Sequence, residues 1–142
     1  MDKTTEVGER CAAAKVLRVS RVLTRSYDEA LKPLGLTVTQ FTLLNVIAHI
    51  KPDSYARIGK LLDIDRTTLS RNLSLLNKAG LVYLGTPGGD RKREVLLTTR
   101  GLALLEEAYP KWEAVQDRVE AMFSADEYQQ LAQMLGRLRQ LG

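Results

Sequence analysis

The sequence predicts a mainly α-helical chain with one small β-hairpin, in which long helices at both ends frame a middle lobe. Three observations carry this. Apolar residues recur at helical spacing over most of the 142 residues. The pattern changes to strand at one place, where Leu81 to Thr86 and Glu94 to Thr98 flank the turn-forming run Pro87-Gly88-Gly89-Asp90. Helix starts and stops are marked by hydroxyl or carboxylate caps, prolines and glycines.

The first helix is expected over Glu9 to Leu31, with Val16, Val19, Leu23, Tyr27, Ala30 and Leu31 on one side. Pro33 disfavours helix at Lys32 and ends it. Thr37 and Gln40 have capping-box spacing and open a second helix near Val38 to Ile50. Ser54 caps a short third helix, Tyr55 to Leu62, and Asp63-Ile64-Asp65 is a tight connector. Asp65 is then a natural N-cap for a fourth helix, Arg66 to Ala79, and Gly80 stands where a left-handed residue is needed just past its end. After the hairpin, a fifth helix is expected over Thr99 to Phe123, kinked or interrupted at Pro110. Ser124 and Glu127 form a second capping box for a last helix with Tyr128, Leu131, Leu135 and Leu138 on one face.

Composition narrows the function. Residues 54–100 hold nine Lys/Arg against four Asp/Glu, while the rest of the chain holds twelve against thirteen. The positive excess therefore sits in the middle third, where it suits an anionic partner or forms a solvated basic face. No apolar run reaches the roughly 18 residues of a membrane span, and the polar start, Met1 to Glu9, is unlike a signal peptide, so a cytoplasmic protein that makes no use of a membrane is expected. One cysteine, Cys11, and one histidine, His49, give no internal disulfide and no metal-ligand set, and no cofactor is expected. There is no phosphate-cradling glycine loop, nucleophile elbow or acid/base pair, so no enzyme is expected either.

Two helices joined by three residues, followed by a hairpin with a basic tip, is the winged helix-turn-helix layout. The fourth helix can be tested geometrically. Advancing about 100° per residue gathers Leu69, Leu73 and Leu76 into one buried stripe and places Thr67, Arg71, Ser74 and Lys78 opposite it. Arg66, Thr68 and Ser70 complete a face without acid or large apolar groups. Leu75 falls beside that face and is expected to pack against a neighbouring element. Arginine can donate two parallel hydrogen bonds to guanine, and threonine can reach base edges or phosphates, so this face suits the major groove of double-stranded DNA. An ordinary amphipathic helix with a solvated side has the same pattern. The tip, where Arg91, Lys92 and Arg93 follow Gly88, Gly89 and Asp90, adds a cationic finger for a minor groove or for phosphates. A winged helix that binds protein is the rival reading; it would carry apolar or acidic residues on the fourth helix instead.

Three segments carry a family likeness. Leu36 to Phe41 reads LTVTQF, Asp65 to Val82 reads DRTTLSRNLSLLNKAGLV, and Gly89 to Gly101 reads GDRKREVLLTTRG. Together they resemble the MarR (multiple-antibiotic-resistance regulator) family. The resemblance implies a transcriptional regulator, in most members a repressor released by a small effector or an oxidant. It implies a homodimer on a pseudo-palindromic operator, with Arg66 to Lys78 as recognition helix and Gly88 to Arg93 as wing. Residues 36–98 would be the DNA-binding lobe, and residues 1–35 with 99–142 the helical dimerisation region. Thr98 and Gly101 match the Leu-Thr-x-x-Gly that closes the family's wing. The wing itself departs from the pattern. Asp90 stands eight residues before Thr98 rather than nine, and Lys92 occupies the usual arginine place, leaving Arg91, which is favoured, or Arg93 for that role. Dimerisation is also expected from the residues alone, because apolar stripes on long terminal helices exceed what one small lobe covers.

The remaining singletons admit two readings each. Tyr109 and Trp112 are core residues or line a pocket for a small aromatic or phenolic effector. The stretch from Cys11 through Arg21 to Tyr27 resembles relatives that sense peroxide through a tyrosine-bonded thiol, but aligned on Arg21 and Tyr27 the sensing position falls on Ala13, and the second tyrosine position on Leu17. Cys11 is thus a candidate peroxide sensor or an ordinary small residue. Gly59 inside the third helix is expected to permit close packing against the fourth.

Overall fold

The computed structural model describes residues 2–52, 54–85 and 94–142. Helices α1 (Lys3–Arg10) and α2 (Ala12–Leu31) lead through a 3₁₀ turn to α3 (Val38–Ile50), α4 (Tyr55–Leu62) and α5 (Arg66–Lys78). Strands β1 (Val82–Leu84) and β2 (Val95–Leu97) follow, then α6 (Thr99–Glu120) and α7 (Ala125–Arg139). The mainly helical architecture with a single hairpin among the described residues is the one expected, and it is a winged helix-turn-helix.

Three local expectations are corrected. The N-terminal helix is two helices, because Cys11 turns extended (φ −66°, ψ 108°) between them. The polar lead-in folds as α1 because Asp2 caps it, accepting from the Thr5 N–H at 2.8 Å. Helix α6 runs unbroken through Pro110. Both Pro110 and Glu106, whose carbonyl loses its helical donor, face solvent, so water can replace the missing bond. Leu75, expected to pack against a neighbouring element, stays 50% exposed.

The lobe is built on aliphatic residues from six elements: Leu31, Leu43, Leu44, Ile47, Ile58, Leu69, Leu73, Leu76, Val82 and Val95 are all 2% exposed or less. The hairpin contributes one face to it. Its strands are antiparallel with Val82 opposite Leu97 and Leu84 opposite Val95, while the Tyr83–Leu96 pair points outward. The entry of α3 is fixed from α2: Asp28 Oδ1 accepts the Val38 N–H at 2.7 Å, supplementing the Thr37–Gln40 capping box.

The long helices are covered very differently. Leu31 is the only buried residue of α2, and α7 has none. Val16, Leu17, Val19 and Val22 on α2, with Met134, Leu135 and Leu138 on α7, are all at least 44% exposed. Between these helices runs a groove of about 560 Å³ lined by Val16, Val19, Leu23, Tyr27, Leu131 and Leu135 among others. No single helix among the described residues is long and apolar enough to cross a membrane.

Candidate nucleic-acid interface

Helix α5 starts where Asp65 takes the cap. Its Oδ1 accepts the Thr68 N–H at 2.8 Å and its Oδ2 accepts the Thr68 hydroxyl at 2.9 Å. These bonds, the backbone one foremost, hold the Asp65 carboxyl below its ordinary value of 3.8. A carboxyl whose folded value is depressed adds stability above its unfolded value, and that stability is lost as pH falls through the folded one. Wild type should therefore be more stable than Asp65→Asn at neutral pH, and the gap should close in acid below pH 4. Urea melts at stepped pH would read this; a gap independent of pH would refute it.

The leucine stripe then orients the helix. With Leu69, Leu73 and Leu76 buried, the side chains of Arg66, Thr67, Ser70, Arg71, Ser74 and Lys78 stand in solvent. Thr68 differs from its neighbours. It is half-buried and its hydroxyl proton is committed to Asp65, which leaves it lone pairs but no free donor for an outside partner. Asn72 is turned back on the helix, donating to the Thr68 carbonyl at 3.1 Å.

The turn before α5 is tight. Asp63 is left-handed at φ +52°, and a Cβ on Gly59 would lie 3.2 Å from the Ile64 carbonyl oxygen and 3.7 Å from Leu69 Cδ2. Gly59 thus makes room for the turn at Ile64, whereas toward α5 an added Cβ would meet Leu69 only at ordinary van der Waals distance, so the close approach is to the turn rather than to the fourth helix as expected. Lys60 and Arg66 both border a hollow of about 270 Å³ between α4 and α5, which adds Lys60 to the cations at this end of the helix. Sequence reasoning passed over Lys60, although its place three residues before the turn was a usable signal. Arg139, in the last turn of α7, braces the same turn by donating from Nε and Nη2 to Asp63 Oδ2 at 3.0 and 2.8 Å. Both partners are exposed, so the pair is worth about 0–1 kcal/mol.

The hairpin base is well paired, with the Gly85 N–H donating to the Glu94 carbonyl at 2.8 Å beyond the last strand residues. The tip residues Asp90, Arg91, Lys92 and Arg93 lie outside the described residues.

The residues that the sequence offers for an effector pocket, Tyr27, Tyr109, Trp112 and Cys11, are not brought together in one protomer. Tyr27 borders the α2–α7 groove, whereas Trp112 stacks on Phe41 of the core (ring centroids 6.1 Å apart) and has Tyr109 beside it at 5.6 Å. Cys11 caps α2, its Sγ accepting the Ala14 N–H at 3.5 Å. At about 1.5 Å of rise per residue, the thiol is roughly 24 Å from Tyr27 along the helix, beyond any hydrogen bond within the protomer. Instead the Tyr27 hydroxyl donates to Gln116 Oε1, and Gln116 Nε2 donates to the Tyr128 hydroxyl at 2.8 Å and to Glu120 Oε2 at 3.2 Å. Burial, then the neighbouring Tyr128 and Glu120, push the Tyr27 hydroxyl above its ordinary pKa. This network joins α2, α6 and α7, and no local pattern announces it. His49 is exposed, and among the described residues no three His, Cys, Asp or Glu side chains converge to hold a metal.

A family model described as MarR family matches residues 34–93. The chain is similar to the Mycobacterium tuberculosis transcriptional regulator MosR in complex with DNA, at 34% identity and a TM-score of 0.80 over 93% of this chain and 98% of that one. A mutant Escherichia coli MarR complexed with operator DNA matches at 26% identity and TM-score 0.83 over 97% and 99%. A MarR family protein of M. tuberculosis in complex with salicylic acid matches at 27% identity and TM-score 0.67 over 92% and 97%.

Proposed function

Since this chain belongs to the MarR family of DNA-binding transcriptional regulators, we propose that it is a repressor that grips a pseudo-palindromic operator as a homodimer and is released by a small effector. The outer face of α5 carries this reading. Arg66, Thr67, Ser70, Arg71, Ser74 and Lys78 project into solvent from a helix whose other side is locked in the core. Such a face offers donors to base edges and phosphates and no acid to repel them. Arg91, Lys92 and Arg93 at the wing tip, with Asp90 beside them, would grip the adjacent minor groove or its phosphates.

The domain assignment follows. Residues 36–98 read DNA, and the exposed stripes of α2 and α7 within residues 1–35 and 99–142 pair the protomers. Covering those valines and leucines releases about 25 cal/mol per Å² of apolar surface. The dimer would set its two copies of α5 roughly 10 base pairs apart, one turn of DNA. The Tyr27 end of the α2–α7 groove, beside the paired stripes and lined by Leu23, Thr24 and Leu131, is the seat for a small phenolic or aromatic effector: it is mainly apolar, with hydroxyls at its edge. A ligand that binds better when the reading heads are misplaced shifts the population away from the DNA-binding form. The protein works by binding rather than turnover, in the cytoplasm.

Binding to the intergenic duplex upstream of the gene, at near-physiological salt, tests the first arm. The operator should be preferred over random duplex by about 10³-fold or more. No preference for any duplex would sink the DNA-reading role. Salicylate titrated into the preformed complex tests release. Binding that persists through millimolar salicylate would argue against a small phenolic acid as effector and leave DNA reading intact.

A further inference from the structure

At the far end of α5 three elements, α5, β2 and α6, are joined by one hydroxyl, that of Thr98. Gly80, left-handed at φ +76°, ends the helix, and the Leu81 N–H donates back to the Leu76 carbonyl at 2.9 Å. Thr98 then reaches across 18 residues: its hydroxyl donates to the Gly80 carbonyl at 2.7 Å and its N–H to the Leu81 carbonyl at 3.1 Å. The same hydroxyl oxygen accepts the Gly101 N–H at 2.9 Å and so caps α6. A Cβ on Gly101 would fall 2.1 Å from the Leu81 carbonyl oxygen, so the first turn of α6 is pressed against the chain leaving α5. On the other side Asn77 Nδ2 donates to the Val82 carbonyl at 3.0 Å, tying the last turn of α5 to β1.

Resting on the DNA-reading role of α5, we propose that Thr98 is a positioning residue for operator recognition. Its hydroxyl makes the recognition helix, the hairpin base and α6 one rigid body. The angle at which α5 meets the groove is then set by α6. A movement of the long helices reaches the bases through this junction, with no hinge between. Capping and tying are separate jobs of one oxygen: the cap uses its lone pair, and the tie to Gly80 uses its proton.

Three substitutions in the full-length protein separate these jobs. Thr98→Ser keeps both. Thr98→Asp keeps a good cap acceptor but has no proton for Gly80 at neutral pH. Thr98→Val loses both. The readouts are thermal stability and the ratio of operator to random-duplex affinity, since random binding reports mainly phosphate contacts. Thr98→Ser should match wild type in both. Thr98→Asp should keep the α6 cap and melt between Thr98→Val and wild type, yet lose about fivefold or more in the ratio, the effect of one spoiled base contact. Thr98→Val should lose in both. Should Thr98→Val fail to fold, Asn77→Ala, which cuts the tie to β1, should lower the ratio in a folded protein. A wild-type ratio retained by Thr98→Asp overturns the positioning role while leaving DNA reading in place. A wild-type protein without operator preference overturns both.

Discussion

Gly101→Ala should be among the most damaging single methyl additions in this chain. The new Cβ would lie 2.1 Å from the Leu81 carbonyl oxygen and 3.0 Å from Leu97 Cδ1, and the nearer of these is backbone that cannot rotate aside. Overpacking of this kind costs about 1–3 kcal/mol and sometimes more. At the rough exchange of 3–4 °C per kcal/mol for a chain of this size, the melting temperature should fall by about 3–12 °C. The comparison must be made at equal protomer concentration, because dimerisation also shifts the midpoint. Gly136→Ala is the matched control. Nothing lies within 4 Å of its added Cβ inside α7, so helix propensity alone should leave it neutral or slightly stabilising. Equal midpoints for wild type and Gly101→Ala would contradict the close approach of α6 to the end of α5.

Arg71→Ala should weaken operator binding by about 1–3 kcal/mol, roughly 5- to 150-fold, if its guanidinium donates to a guanine. Arg71 projects from the middle of the exposed face of α5, opposite Leu69, Leu73 and Leu76, so its loss should change stability by no more than about 0.5 kcal/mol. Random-duplex affinity should move little, because at most one phosphate contact is removed. Arg71→Lys should behave more like the alanine variant than like wild type, since an ammonium cannot supply the parallel donor pair. Competition binding at two salt concentrations measures all three. An operator affinity unchanged in Arg71→Ala would remove Arg71 from the reading face and shift the role to Arg66 or Lys78.

Helix α5 was readable because each of its determinants is local. Asp65 caps it, three leucines at helical spacing orient it, and Gly80 ends it; none of these needs a distant partner. The hairpin was readable for the same reason, through two short runs flanking Pro-Gly-Gly-Asp. Misreadings arose where a local rule met a detail of surroundings. The periodicity of α2 gave no warning that the backbone would turn at Cys11. Pro110 was expected to kink or interrupt α6, but a proline whose orphaned carbonyl faces water need not interrupt a helix.

Composition and pattern alone determined the helical class, the single hairpin, the basic middle third and the side of α5 that meets solvent, because those follow from hydrogen bonding and burial within a few neighbouring residues. Folding in three dimensions decided the rest: Thr98 on Gly80, Asp28 on Val38, Tyr27 on Gln116, and Arg139 on Asp63. These partners stand 10 to 89 positions apart. A hydrogen bond is blind to sequence distance, so no periodicity encodes it, and only the packed core brings its two ends together.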